Sequence, residues 1–365
     1  MKILVLATSY PRPDGFVSLQ YIHSRNKWYV QKGIDVSVIS FDAKNDYELD
    51  NVKVYTLSTY EKKIKSEKFD LLVSHAPNLR NHYRFLKKYS DLYDNIVFFF
   101  HGHEVLKTSK VYPPPYSYTK KVKIRTKIRR GIYDNFKLKV WKKYFEKIAY
   151  KTQFIFVSKW MYDMFIDSTE IEPEVIEGNK RIIYNCIGEN FEKNSYDLKS
   201  EKNYDFITIR NNLDGSKYAI DVVTRIAQDN PKYNFCVIGK GEFYEYNDKP
   251  RNLEWIEKNL SHNEIIHFLN KSKCALIPTR ADAQGVMACE IATFGIPLIT
   301  SNIDVCKEIF GGFDNVGYIN NDDLNINIEP IIKKISISLP TKKNTKYFEE
   351  NTIGKEIELY ENIIK

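Results

Sequence analysis

Short apolar runs alternate with helix-like segments along almost the whole chain, and this alternation constrains the fold most. KILVLAT (2–8), VSVISF (36–41), VKVYTL (52–57), DLLVSH (70–75), NIVFFFH (95–101) and FIFVS (154–158) are strand-sized, and RIIYN (181–185) closes the series. A helix is predicted from Ser18 to Lys32, ended by Gly33. Repetition of this kind folds as a parallel sheet with helices on both faces. After the polar stretch 186–203, a second block repeats the grammar. DFITIR (205–210), NFCVIG (234–239), CALIP (274–278) and PLIT (297–300) read as strands, and AIDVVTRIAQ (219–228) and NEIIHFLN (263–270) as helices. The tail 347–365 reads as an amphipathic helix. The expectation is an α/β protein of two Rossmann-like domains facing across a cleft. Residues 1–185 form the first, 186–203 a linker and 204–344 the second, with a C-terminal helix over 345–365 that can return to the first domain.

Composition narrows the class. The 365 residues are 43% hydrophobic and 14% aromatic, enough for two packed cores. The strongest apolar run, IVFFF (96–100), is too short to span a membrane. The start, MKILVLAT, reads as a strand rather than a signal peptide. Five scattered cysteines without a CxxC pair fit buried thiols in a reducing cytoplasm, and no His/Cys spacing suggests a structural metal. The net charge of +8 is concentrated: thirteen Lys and Arg residues from Lys120 to Lys151 oppose only Asp134 and Glu146. Apolar residues, Trp141, Tyr144 and Phe145 among them, are interleaved with the charges. Such a mixture suits an anionic surface, either lipid or nucleic acid.

One stretch carries the chemistry. ADAQGVMACEIATFGIP (281–297) follows the strand CALIP and reads as loop, helix and stop, with Gly295 and Pro297 ending the helix. Asp282 falls in the loop and Glu290 just past the first helical turn, so both acids sit near the C-terminal edge of a parallel sheet, where α/β proteins bind ligands.

An acid, seven residues, then Glu before a Gly-x-Pro turn resembles the retaining glycosyltransferases of family 4, of the bacterial surface-polysaccharide type, which have the GT-B fold. Gly285, Glu290, Gly295 and Pro297 align without a gap, while Asp282 stands where that family more often has Glu. Arg210 and Lys217 in TIRNNLDGSKYAIDVV are similar to its basic pair, with two extra residues between them and Tyr218 in place of a Gly. VIGKGEF (237–243), HGHEV (101–105), YNCIGENF (184–191) and FVSKWM (156–161) resemble further family segments in the same order.

The resemblance implies a hexosyltransferase using a nucleotide-sugar donor, most commonly a UDP-sugar, and a glycan or polyprenyl-linked acceptor, without a cofactor or a metal. Arg210, Lys217 and the amides of Gly285, Val286 and Met287 would hold the diphosphate. Glu290 would hold the ribose diol, Asp282 would face the sugar, and His101 would lie near the reacting carbon or a sugar hydroxyl. Gly15 is a weaker donor candidate. His103 and Glu104, with Lys120, Lys121 and Trp141 of the basic tract, are candidates for the acceptor or for a membrane contact. Two nucleotide-sugar domains favour an anionic membrane surface over nucleic acid. The expected location is therefore cytoplasmic, at the inner face of the plasma membrane. A nicotinamide enzyme is disfavoured because no GxGxxG follows the first strand, and a metal-dependent GT-A enzyme because no Asp-x-Asp follows a strand. A GT-B-like epimerase and a non-enzymatic anionic-surface binder are the alternatives.

Overall fold

The computed structural model describes residues 1–16, 18–119, 124–337 and 342–365. The chain forms two compact units. One comprises Met1–Lys107, Arg130–Cys186 and Glu349–Lys365, the other Thr108–Arg129 and Ile187–Phe348.

The first unit is built on an eight-stranded sheet of order β3-β4-β2-β1-β5-β6-β7-β8. The strands are β1 (Lys2–Ala7), β2 (Asp35–Ser40), β3 (Tyr47–Leu49), β4 (Val52–Tyr55), β5 (Leu71–His75), β6 (Ile96–Phe100), β7 (Thr152–Phe156) and β8 (Lys180–Ile182). All neighbours pair in parallel except β3, which pairs antiparallel with β4. Asp50 and Asn51 join that pair with φ of 49° and 62°. Positive φ at both central residues is what a two-residue hairpin with native twist requires. Three residues are too few to show a period, so β3 was not legible beforehand. The apolar runs of β5 and β6 are buried throughout, as a sheet covered on both faces demands. The tail helix, Ile353–Ile364, does return to this unit. Ile353 and Tyr360 join the core of Trp28 and Tyr29 from the helix Gln20–Gln31.

The long helix Ile124–Ile148 corrects one expectation. Trp141 and Phe145 are fully buried, stacked 4.8 Å apart and packed against Phe98, and Tyr144 lies beside them. Leu138, Trp141, Phe145 and Ile148 follow helical spacing and form the core stripe, so Trp141 has no reach toward a membrane. Lys137 is buried as well, 3.1 Å from Asp134 and donating to the carbonyls of His103 and Leu106. Lys120 and Lys121 lie outside the described residues.

The second unit carries six parallel strands in the order β11-β10-β9-β12-β13-β14. They are β9 (Tyr204–Asn212), β10 (Phe235–Lys240), β11 (Leu253–Ile256), β12 (Ser272–Leu276), β13 (Leu298–Ser301) and β14 (Val316–Ile319). The chain winds outward from β9 to β11, then starts again beside β9 with β12. Crossovers therefore diverge between β9 and β12, and the loops after these two strands bound a crevice. The segment Thr108–Thr119 belongs to this unit: Tyr116 and Tyr118 donate to Asp221 and Asp214, each at 2.7 Å.

Candidate active site

Three elements of the second unit meet at that crevice. Arg210, the last buried residue of β9, donates from its Nη2 to the carbonyl of Pro278 at 2.7 Å. Arg210 Nε is buried without a hydrogen-bond acceptor among the described residues, a donor left for a ligand. Burial lowers the pKa of Arg210 and the nearby Asp282 opposes that shift; an arginine remains cationic regardless. Lys217 sits in the turn Ser216–Tyr218, whose backbone is tied down by the Arg280 amide at 2.8 Å from the Lys217 carbonyl. Arg280 is itself fixed by a two-pronged pair with Asp221, at 2.8 and 2.6 Å. The Tyr218 ring lies 5.0 Å from the Arg210 guanidinium and 4.8 Å from the Lys217 ammonium, so one aromatic ring contacts both cations.

After β12, Asp282 accepts the Ala283 amide at 2.8 Å, and Gly285 opens the helix Val286–Phe294 with φ of 72°. A β-carbon at Gly285 would stand 3.3 Å from Asp282 Oδ2, so both backbone and space favour glycine. The amides of Val286 and Met287 lie in the first turn, which has no intrahelical acceptor and favours an anion. Arg210, Asp282 and Gly285 line one small cavity of about 20 Å³ with Thr279, Gln284 and Cys306. Lys217 and Glu290 do not line it.

Glu290 stands one turn further along the helix and is only 4% exposed. Its Oε1 accepts the Gly188 amide at 3.1 Å, and His262 Nε2 approaches to 3.8 Å. Burial pushes its pKa up to about 7, against the lowering effect of the Gly188 amide. A β-carbon at Gly188 would meet the His262 ring at 2.7 Å and Glu290 at 3.2 Å, so a larger residue here would displace the His262 side chain. Gly188 and His262 were not singled out from sequence, and Tyr218 only as a departure from a glycine, without a role. His262 had a visible signal, because Ser261 and Glu264 form a capping box that starts its helix.

In the first unit, His101 directly follows β6, at the C-terminal edge of the sheet. Its Nε2 is 3.2 Å from His75 Nδ1, its ring lies 4.4 Å from that of Tyr21, and the Asn185 side chain hydrogen-bonds to it. Burial, then the charge of Arg25, holds its pKa well below the usual imidazole range, so the ring is neutral. Glu104 is buried, and one of its oxygens accepts the amides of His101 and Gly102. This corrects its candidacy as a membrane contact: Glu104 braces the loop that carries His101. His103 is exposed, and its carbonyl receives Lys137. Gly15 is exposed in the loop after β1, with φ of 88° and a turn bond to Arg12.

Residues 191–353 match the family model described as glycosyl transferases group 1. The O-antigen biosynthesis glycosyltransferase WclY of Escherichia coli is 24% identical over 153 residues, which is 40% of this chain and 42% of that protein. The similarity to this relative thus spans less than half of its length. Among solved structures, a glycosyltransferase from Rickettsia africae superposes with a TM-score of 0.68 at 14% identity, covering 100% of this chain and 98% of the other. Alr3699/HepE of Anabaena, solved with UDP and glucose, gives 0.62 at 14% identity and covers 99% of both chains. At such identities the likeness is one of fold, and the fold is GT-B. The segment that matches the glycosyl transferases group 1 contains Arg210, Lys217, Asp282, Gly285 and Glu290.

Proposed function

We propose that this chain is a retaining, metal-independent glycosyltransferase that moves a sugar from a UDP-sugar to a glycan or lipid-linked acceptor in cell-surface polysaccharide synthesis. The observation that carries it is the buried Arg210, whose unpartnered Nε sits with Asp282 and the helix start at Gly285, between the diverging crossovers of the second sheet. A diphosphate satisfies that donor, the Lys217 ammonium and the first-turn amides together. Glu290 is one turn along the same helix, suited to the ribose diol. Charge grows on the diphosphate as the sugar leaves, so Arg210 and Lys217 act on the transition state as well as on binding. Asp282 takes sugar hydroxyls, and the donor role falls to the second unit. The first unit, with His101 at the edge of its sheet, takes the acceptor. Retention and the UDP donor follow the family resemblance, and the relative solved with UDP and glucose supports the nucleotide.

An anionic membrane is the proposed docking surface. Among the described residues, no helix is long and apolar enough to cross a bilayer. The long basic helix instead exposes Ile132, Tyr133 and Phe136, at 65%, 51% and 59%, with exposed Arg129 and Lys139 on the same helix. These residues replace Trp141 as the interfacial anchors.

The deciding experiment incubates the protein and a panel of UDP-sugars with a lipid-linked acceptor analogue, in EDTA and with added Mg²⁺. Transfer in EDTA with a product of unchanged anomeric configuration supports the reading. An inverted product rejects retention, and conversion of the donor to its epimer without transfer replaces the transferase with an epimerase.

A further inference from the structure

His101 stands at one end of a buried polar chain that runs to the C-terminal helix. Arg25, on the helix Gln20–Gln31, is fully buried and uses its donors in three directions. Nε donates to Glu356 Oε1 at 3.0 Å, Nη2 to Asn185 Oδ1 at 2.9 Å, and Nη1 to the Tyr21 carbonyl at 3.1 Å. Glu356, on the helix Ile353–Ile364, is also fully buried and accepts the Tyr29 hydroxyl through its second oxygen. Asn185, in turn, hydrogen-bonds to His101.

The chemistry of these groups fixes a direction. Arginine can only donate, so the amide of Asn185 must turn its oxygen toward Arg25. With the oxygen held there, the group that Asn185 turns to His101 is fixed as well, either the oxygen's second lone pair, which accepts a ring N–H, or the amide NH2, which donates to a bare ring nitrogen. A neutral imidazole carries one such proton, so the ring is held in one orientation and one tautomer, with its other side toward His75. Glue alone does not explain the pair: a buried Arg–Glu pair costs about as much desolvation as it returns, and apolar residues of similar volume pack as well. What an apolar pair lacks is the donor face presented to Asn185.

We propose that Glu356, acting through Arg25 and Asn185, is a positioning residue that fixes the orientation and the tautomer of the His101 ring. The proposal rests on the functional reading only in giving His101 a place beside the sugar; the ring's own state is read independently of transfer.

The test uses the full chain. Arg25→Met with Glu356→Leu replaces the pair by apolar side chains of similar volume, and Asn185→Asp keeps the shape while adding a carboxylate. Side-chain nitrogen NMR of the histidines between pH 5 and 8 reports the tautomer, and thermal unfolding reports the fold. Wild type is expected to show His101 neutral, in a single tautomer, throughout. In the Met/Leu variant the tautomers mix and kcat falls roughly ten- to hundred-fold, with the KM for the donor little changed. In Asn185→Asp, His101 gains a proton within the range. A folded Met/Leu variant with wild-type His101 signals overturns the proposal, as does Asn185→Asp without an added titration. If the Met/Leu variant does not fold, Asn185→Asp decides. A wild type that transfers no sugar yet shows the ordered ring rejects the transferase reading and leaves this one standing.

Discussion

Glu290 combines a buried carboxyl with a binding role, and the two pull against each other. Its folded-state pKa is about 7 where an ordinary glutamate has 4.5, because burial penalises the charge. A raised carboxyl pKa contributes stability that is present in full below pH 4.5 and is lost as pH rises through 7. The loss amounts to roughly 3 kcal/mol. Glu290→Gln keeps an oxygen for the Gly188 amide and never ionises. The variant is therefore expected to match wild type at pH 4 and to exceed it by roughly 3 kcal/mol at pH 8, while binding UDP at least about ten-fold more weakly. Denaturant midpoints across that range check the first part and calorimetry the second; parallel pH profiles would show that Glu290 is not the titrating group. Tyr218 is the complementary case, a residue that departs from the family's glycine and collects Arg210 and Lys217 on its ring. Tyr218→Ala should weaken UDP binding about three- to ten-fold, as one partly desolvated cation–π contact would. Tyr218→Phe should leave it unchanged, and equal affinity in all three proteins would remove the ring from the clamp.

The long helix Ile124–Ile148 shows how far an element can be read from sequence. The basic character of the tract Lys120–Lys151 was plain, but its helical extent was not read, and nine Lys and Arg residues in the helix with apolar residues among them did not say which apolar residues face the core. The core stripe takes Leu138, Trp141, Phe145 and Ile148, because Phe98, Phe100 and Phe154 of the sheet offer an aromatic surface to fill. That partner surface is a tertiary fact with no local trace. Exposed Ile132, Tyr133 and Phe136 are left for an interface. Replacing these three with Ser is expected to abolish binding to anionic vesicles, whereas wild type binds them, loses them as salt rises and ignores zwitterionic ones. Transfer to a soluble acceptor analogue should persist in the Ser variant. Co-sedimentation measures the binding, and equal sedimentation of wild type with both lipids would reject the electrostatic part.

At the scale of the whole chain, the two alternating blocks and the loop-helix unit around Gly285 were legible because hydrophobic period and turn chemistry are local. The edge strands β3, β11 and β14 were not. Nor was the joining of Thr108–Arg129 to the second unit, whereas the return of the tail Glu349–Lys365 to the first was expected from its amphipathic pattern. The returning tail matters physically because it brings Glu356, the only carboxylate paired with Arg25 among the described residues, together with Ile353, Leu359 and Tyr360. Truncation after Thr345 removes all of them. Arg25 is then a buried cation without a counter-charge, a loss of about 3–5 kcal/mol before the missing apolar contacts are counted. The first unit should bear this loss. Hydrogen exchange is expected to quicken across the helix Gln20–Gln31 and β1, while the helix Ile220–Asp229 and β9 keep their protection. Uniformly faster exchange in both units would mean that they unfold as one body, and unchanged exchange at Gln20–Gln31 would mean that the tail is dispensable to the first core.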